Sequence, residues 1–184
     1  ICVLDHDDDA TNTNGSMIVR AAGIGPEAQQ QQRTCMLWGN YVDDPQSETT
    51  GGGGAIAVGR GGAVKVDGCD LAKNEAAKGD GGAISIIGNR GNVVIINSIM
   101  RQNTAINGGV VSIKGASKIF LQESHAWQNK AGSNGAVFAL DGPSALTWRY
   151  GAVVDNQALT DGGAGYLDGT SSLNLHGTAF MRNI

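Results

Sequence analysis

The chain has 184 residues, a formal net charge of −4 and only 5% aromatic residues, with 29 glycines against 3 prolines. No basic block marks a nucleic-acid or anionic-membrane surface, and no apolar run approaches the ~20 residues of a membrane-spanning helix. Scarce proline excludes collagen and proline-rich linkers, while 41% hydrophobic residues suffice for a core.

In chain order, residues 1–50 read as irregular coils. Leu4-Asp5-His6-Asp7 sets an apolar residue three positions before an acidic one, and Leu37-Trp38-Gly39-Asn40 sets Leu three before Asn. Between them, Asn14-Gly15-Ser16-Met17-Ile18 reads as a glycine-led strand. Polar stretches at 25–33 and 43–50 read as loop insertions.

From residue 51 the pattern is regular. Gly53-Gly54-Ala55-Ile56 is followed by Leu71-Ala72-Lys73-Asn74, and Gly81-Gly82-Ala83-Ile84 by Met100-Arg101-Gln102-Asn103. Gly108-Gly109-Val110-Val111 precedes Ala126-Trp127-Gln128-Asn129, Asn134-Gly135-Ala136-Val137 precedes Val153-Val154-Asp155-Asn156, and Gly162-Gly163-Ala164 precedes Phe180-Met181-Arg182-Asn183. The asparagines from Asn74 on advance by 29, 26, 27 and 27 residues. A fixed period of this size is a solenoid signature.

Each repeat alternates with period two, as strands do. Ile56/Val58, Ile84/Ile86, Val111/Ile113 and Val137/Ala139 are expected to face one way, with Val64/Val66, Val93/Ile95, Ile119/Leu121, Leu146/Trp148 and Leu173/Leu175 forming a second strand. An alanine column at Ala76, Ala105, Ala131 and Ala158 suggests a third. Strands this short, with no antiparallel partner inside the repeat, must pair with the next repeat. The expected fold is all-β: a right-handed parallel β-helix of about 27 residues per coil and roughly six coils. The expected organisation is irregular coils over 1–50 and a regular β-helix over 51–184. The phase of the repeat at both ends predicts a stretch of a longer solenoid with bare apolar ends.

Asp7, Asn40, Asn74, Asn103, Asn129, Asn156 and Asn183 form a predicted structural ladder. Asn tolerates the left-handed conformation of a corner, and stacked amides can bond from coil to coil. The glycine pair marks a second corner with positive φ. Five residues before each ladder position stands a small residue: Cys2, Cys35, Cys69, Ser98, Ser124, Gly151 and Thr178. Neighbouring cysteines of this column lie about 4.8 Å apart if stacked, within disulfide range by Cα separation. In-register Cβ vectors suit the disulfide torsion poorly, so a Cys35–Cys69 bridge and a ladder of buried thiols both stand as readings. Three cysteines cannot all pair within the chain.

The Gly-Gly-Ala-Ile motifs at 53–56 and 81–84, Gly-Gly-Ala-Val at 61–64 and Phe-x-x-Asn at 180–183 resemble the repeats of the polymorphic membrane proteins, autotransporter-like adhesins of chlamydiae. They are similar also to repeats of large secreted β-helix proteins of other microbes, algae and protists. The resemblance implies a passenger-type β-helix at a cell surface.

The chemistry-bearing residues are sparse. Asp141 and Asp168 each begin an Asp-Gly turn and are expected to stack, as a carboxylate pair for Ca²⁺ or a glycan, or simply as turn formers. Asp5 and Asp7–Asp9 form an acidic run without the glycine and distal Glu of a calcium loop. His6, His125 and His176 fall in different columns, which predicts no metal cluster, and no cofactor motif is present. Trp38 and Trp127 share an outward column three coils apart, Lys65, Lys118 and Arg149 share the second-strand region, and Asn14-Gly15-Ser16 is a glycosylation sequon. The sequence predicts a non-enzymatic extracellular or cell-surface protein, an adhesin passenger or structural rod. Its expected partners are a protein or glycan at a surface, or copies of itself. The alternative is a glycan-active β-helix enzyme, a polysaccharide lyase or hydrolase.

Overall fold

A computed structural model describes residues 3–6, 16–20, 35–42 and 53–184, among which there is no helix. No helix among them is therefore long and apolar enough to cross a membrane. The strands stack from coil to coil in parallel, building the expected β-solenoid, of about five turns among the described residues.

Each regular coil contributes four strand segments, not three. The glycine-led strands are β5 (Ile56–Val58), β9 (Ile84–Ile87), β13 (Val111–Lys114), β17 (Phe138–Asp141) and β20 (Gly165–Leu167). The second segment comprises β6 (Ala63–Asp67), β10 (Asn92–Ile96), β14 (Lys118–Gln122) and the first halves of β18 (Ala145–Val154) and β21 (Ser172–Met181). The third comprises β3 (Cys35–Trp38), β7 (Cys69–Ala72), β11 (Ile99–Arg101), β15 (His125–Trp127) and the second halves of β18 and β21. The fourth is the two-residue strand after each ladder asparagine: β4 (Tyr41–Val42), β8 (Glu75–Ala76), β12 (Thr104–Ala105), β16 (Lys130–Ala131) and β19 (Gln157–Ala158). The alanine column thus builds a five-stranded sheet of its own.

Register decides what is buried. Val64, Val93, Ile119, Leu146 and Leu173 pair in sequence, as do Val66, Ile95, Leu121, Trp148 and Leu175, matching the expected second-strand columns. On the glycine-led face Val111 pairs with Phe138 and Ile113 with Leu140, so coil four is shifted one residue from the sequence expectation. Gly135, not Asn134, takes the left-handed position of Gly81, Gly108 and Gly162. Period-two alternation makes such a slip consequential: Phe138 and Leu140 enter the columns expected for Val137 and Ala139, although all four residues are buried.

Two early segments also differ from expectation. Ser16–Arg20 (β2) pairs with β6, Met17 opposite Val64 and Val19 opposite Val66, so it is a second-segment strand and not a glycine-led one. Val3–His6 (β1) lies antiparallel on β2, Leu4 opposite Val19, and therefore does not occupy the apolar column. It covers an edge of β2 that was expected to stay bare. Asp7 and Cys2 lie outside the described residues.

The asparagine ladder runs unbroken from Asn40 to Asn183. Each side-chain Nδ2 donates to the Oδ1 of the next coil's asparagine: 2.8 Å from Asn40 to Asn74, 2.9 Å to Asn103, 3.0 Å to Asn129, 2.9 Å to Asn156 and 2.8 Å to Asn183. The same Oδ1 accepts the backbone N–H of the asparagine below, at 2.9–3.2 Å. The second Nδ2 hydrogen goes to the apolar-column carbonyl of the preceding coil, as in Asn129 to Met100 at 3.0 Å. Asn74, Asn103, Asn129 and Asn156 are fully buried. An amide offers two donors and two lone pairs, and in Asn103 and Asn129 all four are used. The left-handed turn itself is made one residue earlier, by Gly39, Lys73, Gln102, Gln128, Asp155 and Arg182, with φ between 50° and 68°. The expectation that asparagine adopts this conformation is corrected: its neighbour turns, which swings the amide inward.

Stripping the Asn129 side chain removes four hydrogen bonds from the interior. At ~1 kcal/mol net each, Asn129→Ala should cost about 3 kcal/mol or more in urea unfolding. Asn89→Ala loses one exposed bond to the Ala116 N–H and should cost under about 1 kcal/mol; equal losses would contradict the ladder's role. A second pair tests coil spacing. A Cβ on Gly109 would stand 2.3 Å from the Ala136 carbonyl oxygen and 2.5 Å from that of Lys130, whereas one on Gly132 meets nothing nearer than 3.7 Å. Gly109→Ala should lower the melting temperature sharply, and Gly132→Ala should leave it unchanged or slightly raised.

Candidate functional site

Among the described residues, the ladder and small-residue columns singled out in the sequence are structural, with Cys35, Cys69, Asn74, Ser98, Asn103, Ser124, Asn129 and Asn156 buried. In the small column Cys35 pairs in register with Cys69, and both are buried thiols, not a disulfide. The Cys69 N–H donates to Ser98 Oγ at 3.1 Å, and the Ser98 N–H to Ser124 Oγ at 3.2 Å. Each hydroxyl turns back on the carbonyl two residues before it, Ser98 to Ile96 at 2.6 Å and Ser124 to Gln122 at 2.8 Å. Thr178 Oγ1 makes the same bond to His176 at 3.4 Å, and the Cys69 thiol to Asp67 at 3.4 Å. The residue before the column is left-handed in each described coil from Cys69 on: Gly68, Asn97, Glu123, Tyr150 and Gly177. The column therefore fastens a bend. Its exception is Gly151, where a Cβ would stand 2.4 Å from the Trp148 indole nitrogen. Trp148 fills that space and donates Nε1–H to the Ser124 carbonyl at 3.2 Å.

The other sequence candidates scatter. Asp141 and Asp168 do stack, since Leu140 pairs with Leu167 immediately before them. Asp168 Oδ1 accepts the Gly169 N–H. His125 pairs with Ala152, and His176 meets the Tyr150 hydroxyl at 3.1 Å; no group of three metal-binding side chains exists among the described residues. Lys65, Lys118 and Arg149 occupy three different columns. Lys65 pairs with Asp67 at 3.1 Å, and the Arg149 guanidinium lies 5.7 Å from the Phe120 ring centre. Trp38 and Trp127 share a column across three steps, as expected. Trp38 is exposed, as is Tyr41, a neighbour that the sequence reading did not single out.

Two surface depressions stand out among the described residues. The larger, about 650 Å³, follows the asparagine corner. The inward amides leave a valley flanked by Lys73, Gln102, Gln128 and Asp155 on the left-handed column and by Thr104, Lys130 and Gln157 on the fourth segment. Gln102 Nε2 donates to Gln128 Oε1 at 3.2 Å, continuing on the outside the ladder that asparagine makes inside. At one end the Lys73 ammonium sits 5.1 Å from the Trp38 ring centre, a cation–π contact. At the other, Arg182 holds Asp155 with two hydrogen bonds of 2.6 and 2.9 Å. The smaller depression, about 270 Å³, lies on the glycine-led face and is lined by Asp80, Asn107, Asn134, Lys114, Asp141, Tyr166 and Asp168 among others. There Lys114 Nζ reaches Asp80 Oδ2 at 2.8 Å.

Comparison of the chain with protein-family models, with curated proteins and with solved structures gives no match.

The Asp155 carboxyl is held below its ordinary range, chiefly by hydrogen bonds from Arg182, which with that residue's charge outweigh the opposing desolvation. A carboxyl whose folded pKa is depressed contributes stability above its unfolded value near ~3.9. That contribution disappears as pH falls through the lowered folded value. In a carboxyl ¹³C titration, Arg182→Gln should raise the Asp155 midpoint toward ~3.9. An unmoved midpoint would show that Arg182 does not set it.

Proposed function

We propose that this chain is a non-enzymatic β-solenoid that serves outside the cell or at its surface as an adhesin passenger or structural rod. The observation carrying the reading is the unbroken asparagine ladder, whose polar capacity is spent on holding coils in axial register. Such a stack is a stiff spacer that presents side chains at fixed intervals of about 4.8 Å. The corner valley fits a contact surface, with exposed Trp38 and Tyr41 at one end and glutamine amides along it. The resemblance of the Gly-Gly-Ala motifs to autotransporter-type adhesin repeats points the same way. Its partner is then a protein or glycan at a surface, or another copy of the chain.

A glycan-active enzyme is the second reading, favoured by the stacked Asp141 and Asp168 beside Tyr166. Turnover separates the two. Incubated with pectin, alginate and neutral polysaccharides, the chain should release neither unsaturated nor reducing sugars. Reproducible release that disappears in Asp168→Asn would overturn the non-enzymatic reading. Beads coated with the chain should adhere to a glycoprotein layer, and Trp38→Ala should weaken the adhesion; no adhesion from either form would leave only the structural-rod version standing.

A further inference from the structure

The depression on the glycine-led face holds chemistry that a rod does not need. Its floor is the in-register row Ser112, Ala139 and Tyr166. One wall is the residue preceding each left-handed glycine: Asp80, Asn107 and Asn134. The other wall is the row Lys114, Asp141 and Asp168.

The two ends of this groove differ. At the first, acceptors meet donors. Lys114 Nζ crosses from one wall to Asp80 Oδ2 on the other at 2.8 Å. Asp80 Oδ1 accepts the Asn107 N–H at 3.0 Å and Asn107 Nδ2 at 2.8 Å, and Asn107 Oδ1 accepts the Asn134 N–H at 3.1 Å. There the chain of bonds stops. Asn134 Oδ1 is buried and has no hydrogen-bond partner, a state that native interiors rarely leave unexplained. Across from it, the lysine of the opposite wall has given way to Asp141 and then Asp168, each directly after the paired Leu140 and Leu167. Among the described residues, neither carboxylate has a cation within ion-pair distance. The half-buried Tyr166 lies between the walls.

Asn134 Oδ1 and the Asp141 and Asp168 carboxylates at the second end are acceptors, and Tyr166 adds an aromatic face. What is missing is a positively charged donor, the role Lys114 fills at the first end. We propose that the open end of this groove receives the guanidinium group of an arginine carried by a protein partner. Guanidinium is planar, always charged and forked, so it can span two stacked carboxylates, donate to a buried amide oxygen and stack on a tyrosine ring. The depression, about 270 Å³, has room for such a group, whereas a bare ion would leave most of it unfilled. The inference does not depend on whether the rod is adhesive.

The test uses the whole chain, isotope-labelled, titrated with N-acetyl-arginine N-methylamide. N-acetyl-citrulline N-methylamide, the same shape without charge, is the control. The arginine compound should shift the Asn134 side-chain amide and the Tyr166 ring resonances saturably, and the citrulline compound should not. Asp141→Asn/Asp168→Asn should weaken the response at least about tenfold, while the side-chain amide signals of Asn103 and Asn129 report an intact fold. The proposal is overturned by equal binding of both compounds, or by arginine binding that survives the double substitution. It is overturned equally by no saturable shift at all, or by Ca²⁺ alone reproducing the shifts where the arginine compound gives none.

Discussion

A buried asparagine amide has four hydrogen-bonding demands, and leaving one unmet costs about 1–3 kcal/mol. In this chain the demands are met only along the stack. Asn103 and Asn129 can satisfy themselves because another asparagine stands above and below and a carbonyl of the preceding coil closes the set. The steps between ladder positions run from 26 to 34 residues, so added residues are absorbed away from the ladder while the amides stay in line. The recurrence of asparagine is thereby tied to the chemistry of one side chain. The backbone N–H that donates to each Oδ1 also fixes which end of the amide is oxygen, so the ladder has a direction.

The other recurring features of the repeat answer to that ladder. The left-handed residue before each asparagine turns the chain so that the amide enters the interior, and it can be lysine, glutamine, aspartate or arginine because its own side chain points out. Coil spacing demands glycine at Gly54, Gly82 and Gly109, where the next coil's carbonyl oxygen stands about where a Cβ would be. The small column needs only a short hydroxyl or thiol to fasten its bend, and Gly151 shows the limit of the rule: Trp148 takes the space that a side chain would fill. The outer surface, freed from these duties, carries the variation from coil to coil.

Much of this was legible in the sequence, for a physical reason. A polar residue recurring every ~27 positions among apolar ones has few satisfied places to go, and the asparagine, small-residue and second-strand columns all follow from it. Coil four was misread because Asn134-Gly135 imitates a glycine pair; only the pairing of Val111 with Phe138 reveals the slip. Ser16–Arg20 was assigned to the wrong face because the alternation of Met17 and Val19 suits either strand, and a long insertion separates them from the regular coils. The left-handed residue before asparagine gave no compositional signal, since a solvated side chain of almost any type serves. Trp148 did leave one: a glycine three residues later in a column otherwise made of Cys, Ser and Thr. The Lys114–Asp80 bridge was not legible, because those residues are 34 apart and meet only once the register is known.

The account stands or falls on whether the ladder amides are internal and bonded in solution. Side-chain amide hydrogen exchange reads this residue by residue. The Nδ2 hydrogens of Asn103, Asn129 and Asn156 should exchange as slowly as the backbone amides of β10 and β14, while the Nε2 hydrogens of Gln102 and Gln128, on the same corner but exposed, should exchange within the dead time. Asparagine amides exchanging as fast as those glutamines would contradict the ladder and, with it, the register of the whole stack.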